Sequence, residues 1–165
     1  MMKKFMMTIA MMAITVCMMA GNNTAGDFPE KVTTDNFTFT LNTKKWKYNG
    51  SQKEQAIRIQ TINSPTVSVT ITTSTLAWEY WKNSKSKSYT AGKIVKKGGK
   101  SFETFFSGSP EEGSSKYSFG MWAGIPISPK GNIEIYIMGR KNPDQKPKDL
   151  VYSILDEVLS MLKFK

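Results

Sequence analysis

Residues 82–100, KNSKSKSYTAGKIVKKGGK, hold seven lysines and no acid. Lys82, Lys85, Lys87, Lys93, Lys96, Lys97 and Lys100 form the segment that points most directly to a ligand class. That class is a polyanion: nucleic acid, anionic lipid, lipopolysaccharide or an acidic glycan. Trp78, Tyr80, Trp81 and Tyr89 stand in or beside the run, and aromatic rings next to lysines stack on bases and sugars. Lysine is a point charge without the bidentate fork of arginine. The same run therefore also fits a solvated helix end and hairpin whose lysines keep a sheet edge soluble, the commoner outcome for a charge run.

A second candidate surface comes from parity. Phe105, Trp122, Tyr136 and Met138 alternate out of step with the apolar residues of their own strands. An open sheet face bearing them is an apolar interaction patch. A covering helix or leader makes them ordinary buried aromatics. Carboxylate chemistry has little support. Glu111 and Glu112 are adjacent in a Gly/Ser/Pro loop, where solvation keeps both ionised. Asp144 and Asp149 lack calcium-loop spacing. The chain has no His, and its single Cys is Cys17. A Ser-His-Asp triad, a disulfide framework and a His- or Cys-based zinc site are excluded. No P-loop or dinucleotide fingerprint is present. No catalytic residue, metal ligand or cofactor is assigned.

The elements that must position these residues follow from periodicity. Phe37, Phe39 and Leu41 alternate with threonines. So do Ile57 and Ile59 with Arg58 and Gln60, and Val67, Val69 and Ile71 with Ser68, Thr70 and Thr72. Tyr117, Phe119 and Met121, and then Ile133, Ile135 and Ile137, repeat the pattern. Period-two alternation of β-branched and aromatic residues predicts strands with one face in the core. Lys93–Lys97 and Ser101–Ser107 are two further strands, joined by a tight turn at Gly98-Gly99. Thr75–Asn83 reads as a helix capped by Ser74 or Thr75, with Leu76, Tyr80 and Asn83 in line. Leu150, Val151, Ile154, Leu155, Val158, Leu159 and Leu162 form the apolar stripe of a terminal helix of about four turns, with Pro147 in its first turn. The fold class is α+β: an antiparallel sheet packed by the C-terminal amphipathic helix and a second helix, as a two- or three-layer sandwich.

Residues 1–20, MMKKFMMTIAMMAITVCMMA, carry Lys3 and Lys4 before an uncharged run and hold eight of the eleven methionines. This is the pattern of an export signal, too short for a membrane span of about 18–20 residues. A retained anchor and a lipid on Cys17 are the alternatives, and Val16 before the cysteine fits a lipobox poorly. The expected organisation is a signal peptide at 1–20, a polar leader at 21–35 and a single α+β domain at 36–165. Without Lys3 and Lys4 the 23 basic residues fall to 21 against 13 acidic, and nearly all of that excess is the 82–100 run.

The Phe37-x-Phe39-x-Leu41 strand with Trp46 behind it, the Ile133-x-Ile135-x-Ile137-x-Gly139 strand and the terminal Leu159-x-x-Leu162-Lys-Phe-Lys resemble the PsbP-like superfamily. The resemblance covers about Phe37 to Lys165. It implies an antiparallel sheet sandwiched by helices, and activities that are mostly protein binding. It carries over no site residue. The expected function is a non-enzymatic exported envelope protein, periplasmic, acting as a binding or interaction module. The alternative is a polyanion- or glycan-binding protein led by 82–100. The expected partner is a protein or an anionic envelope polymer, with no specific nucleic acid. Once the signal is removed, no integral membrane segment is expected.

Overall fold

The computed structural model of the protein describes residues 29–49, 56–63, 66–107, 118–128, 131–140 and 146–165. The export signal, the leader up to residue 28, Tyr117, Asp144 and the Glu111–Glu112 loop lie outside the described residues.

Where the alternating runs are described they become sheet, and the strand expected at Lys93–Lys97 begins at Val95. The strands are β1 (Lys31–Thr33), β2 (Phe37–Thr40), β3 (Trp46–Tyr48), β4 (Ala56–Thr61) and β5 (Val67–Ser74). After helix α1 (Trp78–Ser88) come β6 (Thr90–Ala91), β7 (Val95–Lys97), β8 (Lys100–Ser107), β9 (Ser118–Ser128) and β10 (Gly131–Arg140). Helix α2 (Pro147–Ser160) and β11 (Leu162–Phe164) close the chain. One sheet of eight strands runs β3-β4-β5-β10-β9-β8-β6, with β7 also paired to β8. A smaller sheet runs β1-β2-β11. Every strand pairing among the described residues is antiparallel. The protein is α+β.

The inward residues of each strand meet α2. Ile57, Ile59, Val67, Val69, Ile71, Met121, Ile133, Ile135 and Ile137 share one core with Val151, Ile154, Leu155, Val158 and Leu159. Pro147 stands in the first turn of α2, where a missing N–H removes no helical hydrogen bond. The stripe reaches its end sooner than its spacing suggests. Leu162 belongs to β11, where it pairs opposite Phe39, and Phe164 pairs opposite Phe37. A period of two from Leu162 to Phe164 satisfies the open side of β2, which a longer helix would leave unpaired.

The leader ends earlier than residue 35. Lys31–Thr33 pair with β2, and Val32 faces Phe39. A three-residue edge strand with one apolar side chain has no alternation to read, so backbone pairing alone defines it.

The 98–99 turn forms as expected. Lys97 pairs opposite Lys100, and Gly98 and Gly99 take φ of 55° and 73°. Two successive positive φ values make the type I′ turn that matches strand twist. Gly99→Ala is expected to cost about 1–2 kcal/mol, read as a lower urea midpoint with unchanged slope.

Helix α1 is shifted from its expected place. It starts three residues later and runs five further, through the lysines. Ala77 sits at its N-cap with no side-chain hydrogen bond. Ser74 Oγ instead accepts the Leu76 N–H in the approach to the helix. Leu76 and Tyr80, the expected stripe, are exposed, and Trp81 is the buried residue. Lysine is a good helix former, and Glu79 in the first turn with Lys85 and Lys87 in the last complements the helix dipole. A Lys-Ser run therefore extends the helix without any apolar period to announce it.

Candidate functional site

The seven lysines do not converge. Consecutive residues of β8 point to opposite faces of the sheet, and they divide the lysines between those faces. Lys82 Nζ donates to Glu103 Oε1 at 2.8 Å. Lys97 Nζ pairs with Asp156 of α2, also at 2.8 Å. Lys93 Nζ lies over the Tyr152 ring of α2, 4.3 Å from its centroid. Lys85 turns into an aromatic cluster on the face away from α2. Lys87, Lys96 and Lys100 remain exposed, with no partner among the described residues. A dense run in sequence thus becomes two small, partly neutralised groups. The exposed ion pairs are worth under about 1 kcal/mol each.

The segment before β7 is tied to α2 by a network that sequence reading missed. Thr104, buried in β8, donates to the Lys93 carbonyl at 2.7 Å. Tyr152 Oη accepts the Lys93 N–H at 2.8 Å and lies 3.3 Å from Thr104 Oγ1. A Cβ on Gly92 would fall 2.4 Å from Thr104 Oγ1 and 2.6 Å from Tyr152 Oη. The only signal in the sequence was a threonine at an inward position of an otherwise aromatic strand.

On the second face, the strand register sets out rows. Arg58, Thr70, Tyr136, Trp122 and Phe105 follow one another across β4, β5, β10, β9 and β8. Ala56, Thr72, Glu134, Gly124 and Glu103 form the next row. Helix α1 crosses the β8 and β9 end of these rows. Trp81 sits against Gly124, where a Cβ would lie 2.5 Å from Trp81 Cη2. The Trp81 ring meets Phe105 edge-on at 5.7 Å and stacks on Trp78 at 5.0 Å. Trp122 stacks on Tyr136 at 4.2 Å and 23°. Trp81 and Phe105, both read as surface binding residues, are therefore buried at 2% and 3% exposure. The aromatic pair across α1 and β8 takes them off the open surface. Trp122 and Tyr136 are part-buried, and Met138 is 51% exposed.

Lys85 Nζ lies 3.2 Å from the Trp122 ring centroid, 5.7 Å from that of Tyr89 and 5.8 Å from that of Trp81. Burial pulls its ammonium below the usual lysine range, and the Glu134 carboxylate opposes that shift. Lys82 moves the other way, because its hydrogen bond to Glu103 favours the charged form. Among the described residues, the buried indole N–H groups of Trp81 and Trp122 have no acceptor and the buried Asn132 Oδ1 has no donor. Asn132 Nδ2 donates to the Leu76 carbonyl at 2.9 Å and anchors the approach to α1.

The cleft between α2 and β2 is wide and shallow, about 600 Å³, and is lined by Asn42, Lys45, Asp156, Glu157 and Lys163 among others. Its carboxylates are engaged. Glu157 accepts the Trp46 indole N–H at 3.0 Å and Lys45 at 3.3 Å. Among the described residues, no group of three or more His, Cys, Asp or Glu is placed to hold a metal. No helix among them is long and apolar enough to cross a membrane.

No family model, curated protein or solved structure matches the chain.

Proposed function

We propose that the chain is a non-enzymatic binding module, exported by residues 1–20. It contacts its partner through the part of the second sheet face that α1 leaves uncovered. One observation carries this reading. Arg58, Thr70, Tyr136 and Met138 occupy neighbouring positions on β4, β5 and β10, and all four are exposed or part-exposed. Met138 is a large apolar side chain in a field of hydroxyls and arginines, and an exposed apolar residue with a polar rim is the make-up of a recognition surface. The partner is a protein whose own surface offers an apolar patch to Met138, so that the contact depends little on charge.

The same reading takes the chain as an exported, periplasmic member of the PsbP-like superfamily. It is arranged as a three-layer sandwich, with α2 and α1 on opposite faces of the sheet. The opposite parity of the residues that meet each helix supports this arrangement. The antiparallel order and the Phe37, Phe39, Leu41 core positions agree with it.

The test is a capture experiment from envelope extract at low and high salt. Thr70→Arg with Met138→Glu alters the open face without touching the core. Lys87, Lys96 and Lys100→Gln removes the three lysines of the 82–100 run that have no partner among the described residues. Capture is expected to be lost with the first variant, kept with the second, and little changed by salt. Capture lost with the lysine variant and falling steeply with salt would replace this reading with the polyanion one.

A further inference from the structure

The contacts of Lys85 are of an unusual kind. Among the described residues its ammonium has no hydrogen-bond acceptor, and all its close partners are ring faces. Trp122 lies beneath it at 3.2 Å, with Tyr89 and Trp81 flanking at 5.7 and 5.8 Å. Tyr136 backs Trp122 from the other side, and Glu134 is close enough to act on the charge of Lys85. Neighbouring donors share the lack of acceptors, since the Trp81 and Trp122 N–H groups are also unmatched. Three rings around one cation, with a carboxylate nearby, is the arrangement that recognises ammonium ions by their charge alone.

A primary ammonium is a poor occupant of such a place. Its three N–H donors meet no acceptor among the described residues and depend on water at the open side of the cluster for their hydrogen bonds. A quaternary ammonium has the same charge and no N–H to desolvate. It also fills the space between the rings with methyl groups. Lys85 sits on α1 and is part-exposed, so its four-carbon stem can swing outward without moving the helix. We infer that the Trp81–Tyr89–Trp122 cage is a binding site for a quaternary ammonium group, held closed in the free protein by Lys85. The site lies beside α1 and borders the open face, with Tyr136 shared as the ring behind Trp122, and it does not depend on the partner reading above.

Choline chloride and tetramethylammonium chloride are titrated into the full chain, followed by tryptophan fluorescence and calorimetry. Potassium chloride at equal ionic strength is the control. A saturable response to the two quaternary salts alone is expected. Lys85→Ala removes the internal competitor and should tighten binding about tenfold, the factor expected if Lys85 fills the cage about nine-tenths of the time. Tyr89→Ala and Trp122→Leu should each abolish the response. Tyr89→Ala takes away a part-exposed ring and guards against a folding defect in Trp122→Leu. Phosphatidylcholine vesicles distinguish a lipid headgroup from a free cation: sedimentation with them, lost in Tyr89→Ala, assigns the headgroup, and a response to free choline alone assigns the small ion. An equal response to potassium chloride, or no tightening in Lys85→Ala, overturns the inference.

Discussion

Leu155→Ala is expected to lower the unfolding free energy by about 2–5 kcal/mol. Leu155 is fully buried and lies in the core that α2 shares with Ile133, Ile135 and Val69. Alanine is the better helix former, so the loss belongs to the cavity and the removed apolar contact and not to the helix. Chemical denaturation followed by far-ultraviolet dichroism reads the effect as a lower midpoint with the slope unchanged. Ser153→Ala, on the exposed side of the same helix, is the control and should shift stability by less than about 0.5 kcal/mol. A loss below that value for Leu155→Ala would mean that α2 does not pack on the sheet.

Gly124→Ala should be destabilising by about 1–3 kcal/mol. The added Cβ would stand 2.5, 2.8 and 3.0 Å from three carbons of the Trp81 indole. A ring wedged against Phe105 and Trp78 has nowhere to retreat, so α1 must lift from β9. A double-mutant cycle identifies the cause. Trp81→Leu leaves room for the new methyl group, so Gly124→Ala should be nearly harmless in that background. Additive losses would show that Gly124 matters for its backbone and not for the space it leaves.

Sheet and terminal helix were legible in the residues, and the reason is physical. Alternation such as Val67, Val69, Ile71 and the stripe of Leu155, Val158 and Leu159 record one-sided burial. A strand repeats every two residues and a helix every 3.6, so each pattern names its own element. The Gly98-Gly99 pair was legible for a different reason, since few residues other than glycine accept two positive φ values in a row. Helix α1 was placed only roughly. Its anchor is a single buried residue, Trp81, and one residue has no period. The lysines that extend it carry propensity without direction. Strands β1, β3, β6 and β11 were missed because two or three residues are too few to show alternation.

The candidate site divides in the same way. The sequence by itself determined that histidine chemistry and a disulfide framework are excluded, and that the one dense charge run is of lysines beside aromatics. It also determined which aromatics fall on the second face, since parity within a strand is a covalent fact. What those residues meet was decided only by tertiary structure. Neighbours along β8 face opposite ways, and this sends Lys82 to Glu103 and Lys97 to Asp156. The missing side chain of Gly124 lets Trp81 sink onto the sheet, which buries Phe105 and brings Lys85 over Trp122 one helical turn later. Charge density along a chain is a one-dimensional quantity. Whether it becomes a patch, a pair of ion pairs or a lysine among three rings depends on the strand pairing and on where a helix is allowed to rest.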